Sequence, residues 1–175
     1  MRLSVQPPPW RADTALALAD AILREPPARP HIERPKPRGV VVARFALPLT
    51  LLQPQNRTRH GQDWALDRLK RDVFACMAAQ HRPRREALPG RPQVLCVRFS
   101  SVAPDAYADW AKHAIDVLCA PLPLLTREGK IRKHATTRRL NFIRDDKQAS
   151  AEVRQWWEPL SRKMGKGFGV IEVRA

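Results

Sequence analysis

The chain has 175 residues, with 32 Lys and Arg against 17 Asp and Glu and a formal net charge of +15. That length holds one compact domain plus an appendage and excludes two full cores, while an apolar fraction of 43% permits a real core. The charge excess points to nucleic acid as partner, because Lys and Arg that neutralise phosphates release condensed counterions; a membrane surface is disfavoured, since neither a basic amphipathic helix nor a lipidation signal is present.

Residues 1–39 read as an appendage. Asp13 or Thr14 is expected to cap a short helix running to Glu25, with Ala15, Leu16, Ala19, Ile22 and Leu23 as its apolar stripe. Pro26 and Pro27 end it, and a basic, Pro-rich linker follows as far as Gly39. This linker is either an arm that touches DNA or a partner, or a spacer that packs the helix on the core, the second being preferred. Residues 40–47 are β-branched and aromatic and predict a strand. Residues 51–61 predict a polar loop. Residues 62–80 predict a helix, because Trp64, Leu66, Leu69, Val73, Cys76 and Met77 recur at helical spacing among Arg68, Lys70, Arg71 and Asp72. A basic turn over 81–92 leads into a second strand at 93–101. A second helix is expected over 105–119, an irregular basic stretch over 120–140, a strand or short helix over 151–157, and a final strand over 167–174. This order predicts an α/β (α+β) fold: a small mixed sheet with two main helices packed on it and an N-terminal helical extension. Residues 40–175 form the main domain, with a basic insertion at about 120–140.

Cys76, Cys96 and Cys119 stand singly in apolar surroundings. An odd count without C-x-x-C spacing argues against a disulfide framework or a zinc site and fits a reducing cytoplasm. Residues 1–10 lack the apolar stretch of a secretory signal. The longest apolar run, residues 40–52, is broken by Arg44 and Pro48 and cannot span a bilayer.

Carboxylates repel phosphate, so acidic residues clustered inside a basic chain invite a divalent cation that keeps open positions for phosphate and water. In the predicted second helix, Asp109, Lys112 and Asp116 share a face, and Asp105 joins them if the helix begins there. Asp145 and Asp146 follow the apolar residues 140–143 and reach that helix only through long-range folding. Each feature also has a plainer reading. Asp105 suits a helix N-cap, Asp109 and Lys112 suit a surface ion pair, and Asp145 with Asp146 suits the start of a turn.

Four segments follow one another in order. The first is Leu-Pro-Leu-Thr-Leu-Leu-Gln-Pro-Gln-Asn-Arg-Thr-Arg from Leu47. The second runs from Ala106 to Leu118 and carries Asp109, Lys112 and Asp116. The third is Asp145-Asp146-Lys147-Gln148, and the last is Gly167-Phe168-Gly169-Val170-Ile171-Glu172-Val173. In this order they resemble the RusA-type Holliday junction resolvases, small dimeric endonucleases of phages and bacteria, over about residues 41–175. The resemblance implies a cytoplasmic, magnesium- or manganese-dependent endodeoxyribonuclease. It would act as a homodimer that cleaves four-way junctions and other branched DNA in recombination and repair. It also implies that Lys112 is the catalytic lysine and that Asp146 is a metal ligand, joined by Asp105 and Asp109. Asn56, Arg57 and Arg59 would then grip the DNA backbone. Ala106 and Ala108 stand where the family pattern has aspartates, with Asp105 and Asp109 one residue away. Either the ligands have shifted by a residue or the chain is a nucleic-acid-binding protein on the same scaffold. The 28 residues between Asp116 and Asp145 exceed the family's spacing of about a dozen. Within them Arg127, Lys130, Arg132, Lys133, Arg138 and Arg139 are expected to form an added DNA-contacting loop rather than a merely solvated one.

Overall fold

The computed structural model describes residues 10–29, 32–52, 63–104, 109–126, 128–164 and 167–175. In chain order the elements are α1 (Ala12–Arg24), β1 (Val41–Pro48), α2 (Asp63–Ala78), β2 (Gln93–Ser100), α3 (Lys112–Leu118), β3 (Pro123–Leu125), β4 (Ile131–Thr136), β5 (Glu152–Pro159) and β6 (Phe168–Arg174). The main sheet has the order β1-β6-β2-β5. β6 pairs antiparallel with both β1 and β2, and β5 runs parallel to β2 along its other edge.

Period-two alternation divides the apolar residues between the two faces of this sheet. Phe45 and Leu47 of β1, Val94 and Cys96 of β2, and Ile171 and Val173 of β6 face one way, into a core completed by Val73 and Met77 of α2 and by Trp110, Ala114, Ile115 and Leu118 in and before α3. Ala46, Val97, Phe99, Phe168 and Val170 face the other way, against Ala15 and Ala19 of α1. The molecule is therefore a three-layer structure, with α2 and α3 on one face and α1 on the other, and its α+β class is the one that the order of elements predicts.

The appendage is tied to this frame by charge as well as by apolar contact. Arg34, in the linker, donates to Glu158 at 2.6 and 3.1 Å, to the carbonyl of Leu23 in α1 at 3.0 Å and to that of the C-cap Glu25 at 2.5 Å. Glu158 is fully buried and also accepts from Trp156 Nε1 at 3.1 Å. On the same face, Arg44 of β1 forks onto both oxygens of Asp20 in α1, with Nε of the same guanidinium 3.1 Å from Glu172 of β6. The free edge of β1 is covered by side chains that follow α2. Gln80 binds both the N–H and the carbonyl of Ala46 at 2.8 Å, and His81 Nε2 lies 3.0 Å from the carbonyl of Arg44. Such cover blunts an edge that would otherwise template further pairing.

Several boundaries differ from expectation. α1 begins at Ala12 with Arg11 as N-cap, and no side chain caps it; Asp13 lies within the first turn, where its charge suits the helix dipole. Of the helix expected over 105–119, the described residues form Lys112–Leu118, and residues 105–108 lie outside them. Trp110 and Ala111 are both buried, and they sit in a turn closed by a 3.4 Å bond from the Lys112 N–H to the Asp109 carbonyl. At its other end Cys119 leaves the helix to bridge in parallel with Ile143. The stretch 120–140 is not irregular: β3 and β4 pair antiparallel, joined by a turn in which Gly129 has a positive φ of 80°. Residues 151–157 take the strand alternative, extended to Pro159. Gly167, which opens β6, is required to be glycine twice over, since its φ is 84° and a Cβ there would lie 2.3 Å from the Phe99 carbonyl.

Candidate nucleic-acid interface

The site is organised by the last turn of α3. A helix end leaves carbonyls without intrahelical partners, and here the segment after the hairpin satisfies them. Leu140 N–H donates to the Val117 carbonyl at 2.7 Å, and the Phe142 and Ile143 N–H groups donate to the Leu118 carbonyl at 2.8 and 3.1 Å. Asn141 holds a left-handed φ of 59° in this segment. Its Nδ2 donates to the carbonyls of Arg84 and Arg85 at 3.3 and 2.9 Å. Leu140, Phe142 and Ile143 are buried in the core, so this segment is fixed along its whole length and delivers Asp145 and Asp146 to the side of α3.

The two aspartates then part company. Asp145 accepts from the Lys147 N–H at 2.9 Å and starts a turn. Asp146 turns to Lys112, whose Nζ also lies 3.0 Å from Asp116 Oδ1, one helical turn further on. Burial works against the charge on Lys112, but the hydrogen bonds from its ammonium to Asp146 and Asp116 outweigh it and raise the pKa above the ordinary lysine value. The Lys112 hydrogen bond correspondingly holds Asp146 below the ordinary carboxylate value. Lys112 is thus a charged ammonium clasped by two carboxylates.

Asp109 stands apart from that clasp. It lies in the turn before α3 rather than on a helix face shared with Lys112 and Asp116, as the longer helix would require, and it accepts from Gln155 Nε2 of β5 at 2.8 Å. The surface pair expected between Asp109 and Lys112 is replaced by the Lys112 contacts with Asp116 and Asp146. Asp105 lies outside the described residues, as do Asn56, Arg57, Arg59 and Arg127. Among the described residues no three His, Cys, Asp or Glu side chains are grouped so as to hold a metal ion.

Beside the clasp a cleft of about 650 Å³ opens between α2, α3 and the hairpin. Asp67, Lys70 and Arg71 of α2 form one wall, His113, Asp116 and Val117 of α3 another, and Leu124 with residues 136–139 the third. Four cationic side chains, Lys70, Arg71, Arg138 and Arg139, therefore meet two carboxylates, of which Asp116 already faces Lys112. Arg71 and Arg138 also line a shallower depression that continues over Arg68 and Asp72 of α2. Of the expected DNA-contacting insertion, Arg138 and Arg139 are in the cleft, and Lys130 and Arg132 are exposed on the hairpin. Lys133 is placed by the backbone of β4.

Lys70, Arg71 and His113 are visible in the sequence as polar helix residues but carry no local mark of a site. Nothing nearby in the chain says that the polar face of α2 is closed off by residues 136–139, some sixty-five positions away. Burial lowers the pKa of His113, with Lys70 and Lys112 adding to the effect and Asp116 and Asp109 opposing it. All three cysteines are free. Burial pushes the Cys119 thiol up to about 11 and raises Cys96 and Cys76 as well, which makes them poor nucleophiles and poor metal ligands.

No family model matches this chain, and no curated protein or solved structure matches it. Among the described residues no helix is long and apolar enough to cross a membrane.

Proposed function

We propose that this protein binds DNA through the cleft between α2, α3 and the β3–β4 hairpin, with branched DNA as its preferred form. The observation that carries this reading is the meeting of Lys70 and Arg71 with Arg138 and Arg139 in one concave surface beside Lys112. These residues come from two distant parts of the chain, and a concave, cationic surface suits a phosphate backbone better than scattered charge does. The preference for branched DNA rests on the resemblance to junction resolvases.

The test is fluorescence anisotropy with a labelled four-way junction and a duplex of the same length at several salt concentrations. Replacing Arg71 and Arg138 together by Gln is expected to weaken junction binding by about tenfold or more and to flatten the salt dependence by the equivalent of about two phosphate contacts. Arg11→Gln, on the opposite layer, serves as control. Equal losses from the control and the cleft variant would overturn the assignment.

A second reading, that the protein also cuts the junction, is favoured by one contact. Lys112 and Asp146, which the resolvase resemblance selects as catalytic lysine and metal ligand, lie 34 residues apart in sequence and touch. In that reading Lys112 would set its charge beside the scissile phosphate and offset the negative charge that develops there. The described residues do not by themselves fit the magnesium centre that such an enzyme needs. No three potential ligands converge among them, and Lys112 Nζ already faces both Asp116 and Asp146. Incubating the junction with protein and magnesium or manganese decides the matter. Cleavage that disappears in Lys112→Ala and Asp146→Asn, with binding kept, supports a nuclease; an intact junction leaves a binding protein. A homodimer, which would supply two symmetric contacts to a four-way junction, is read from sedimentation of the free protein.

A further inference from the structure

The turn between α2 and β2, residues 81–92, contains neither helix nor strand, yet hydrogen bonds tie it to the segment that follows the hairpin. The Arg84 N–H donates to the Leu140 carbonyl at 2.9 Å, and the Leu88 N–H donates to the Phe142 carbonyl at 3.0 Å. Between them Asn141 Nδ2 donates to the carbonyls of both Arg84 and Arg85. Asn141 does so from its left-handed φ of 59°. That conformation costs a non-glycine residue free energy, and folds keep it chiefly where a binding surface needs it.

What this bracket holds in place is a group of charges. The turn carries Arg82, Arg84, Arg85 and Arg91 against the single acid Glu86. All four arginines are exposed, and none has an ion-pair partner among the described residues. Arg84 is further fixed by the Phe142 ring, 5.7 Å from its guanidinium, and by a 3.2 Å bond from Nε to the Glu86 carbonyl. On the α1 face, by contrast, Arg34, Arg44 and Arg174 each sit against a carboxylate. Like charges grouped on a fixed backbone repel one another, so the fold gains nothing from them, whereas a polyanion offsets that repulsion.

The position of the turn selects the form of the polyanion. Lys70 and Arg71 of α2 line the cleft, and the turn begins three residues beyond Ala78, where α2 ends. The eight steps from Lys70 to Ala78 rise about 12 Å along the helix axis. One stretch of chain serves both places, since Arg138 and Arg139 line the cleft and residues 140–142 hold the turn. The two backbones of B-form DNA stand about 12 Å apart across the major groove. A duplex therefore offers a second backbone at this distance from the cleft, and a single strand does not.

We infer that Arg82, Arg84 and Arg85 form a second phosphate-contacting surface. It grips the strand across the groove from the one seated in the cleft, so a double-stranded arm is held by both backbones. Asn141 is the positioning residue of this surface. The inference rests on the DNA-binding reading above and adds to it the double-stranded form of the ligand.

The test is fluorescence anisotropy at several salt concentrations with a labelled duplex and with one of its strands alone. Replacing Arg82, Arg84 and Arg85 together by Gln should weaken duplex binding by about tenfold or more and flatten the slope of log affinity against log salt by about two to three. Affinity for the single strand should stay within about twofold. The same three residues replaced by Lys should keep most of the duplex affinity, because the charge remains. The cleft variant, with Arg71 and Arg138 replaced by Gln, should weaken both ligands. Asn141→Gly keeps the left-handed backbone accessible and removes the bracket, so it should weaken duplex binding and spare the single strand. A merely structural role for Asn141 would instead lower stability to urea and affect both ligands alike. A Gln variant that weakens both ligands equally, or neither, would overturn the second surface, while a loss in the cleft variant would leave DNA binding standing. A wild-type protein that binds neither ligand would remove both.

Discussion

Lys112, Asp146 and His113 titrate in different pH ranges, and the signs of their shifts separate their effects on stability. Lys112 has a folded pKa above its unfolded value of 10.5, so its contribution is fully present below that pH and is lost only as the pH rises through the folded value. Asp146 has a folded pKa below 3.8, so its contribution is present above that pH and is lost as the pH falls through the folded value. Neither changes stability across the neutral range. His113 has a folded pKa below 6.5: the unfolded chain takes up the proton first, and stability falls as the pH drops below about 6.5. Urea unfolding at about pH 7.5 and about pH 5.5 should therefore show lower stability at the acid value, and in His113→Asn the difference should shrink. A wild-type protein equally stable at both would contradict the burial assigned to this ring. Arg34 offers a second test at this scale. Glu158 is fully buried, and Arg34 is its only ionic partner among the described residues. Arg34→Ala leaves that carboxylate unpaired and removes a donor from the last carbonyls of α1. A loss of about 3–5 kcal/mol in unfolding free energy is expected, measured by urea denaturation at neutral pH.

The β3–β4 hairpin lies between Asp116 and Asp145, and it brings Lys130 and Arg132 to an exposed position. If the hairpin touches DNA, replacing both by Gln should reduce the slope of log affinity against log salt by about one for each phosphate no longer neutralised, with little change in folding stability. An unchanged slope would return the hairpin to plain solvent-facing structure. This is also the element least legible in the sequence. β3 has three residues, two prolines stand in or just before it at Pro121 and Pro123, and the alternation of β4 is obscured by Arg132, Lys133 and His134. By contrast β1, β2, β6 and α2 can be read almost to the residue, because their apolar residues repeat at the period of the element and pack on both faces of one sheet. The helix expected over 105–119 is too long because periodicity cannot register a turn held by tertiary burial of two adjacent residues, Trp110 and Ala111. The site itself is half legible. Lys112 and Asp146 are marked in the sequence, and they meet; the partner of Asp109, the role of Asp116 in the clasp and the cleft walls of α2 all depend on long-range contacts that carry no local signal.

At the scale of the whole molecule, the two faces of the sheet divide the work. The α2–α3 face carries the cleft and the clasp, while α1 and the linker are tied to the other face by the Arg34–Glu158 and Arg44–Asp20 pairs and by apolar packing, around a cavity of about 470 Å³. The central position of β6 between β1 and β2 bears on how the protein is made. Among the strands β6 is the last to leave the ribosome, yet both earlier strands pair with it, and Phe168 and Val170 supply part of the floor under α1. A nascent chain that has exposed everything up to β5 therefore carries Phe45, Leu47, Val94 and Phe99 on strands still missing their shared neighbour, a state prone to wrong association. Biogenesis should thus proceed by one late closing step. Ribosome-bound chains stalled with residues 168–174 still inside the exit tunnel should be digested readily by protease, and chains extended just enough to release those residues should become resistant. Resistance gained before that point would mean that β1, β2 and the helices hold together without their central strand.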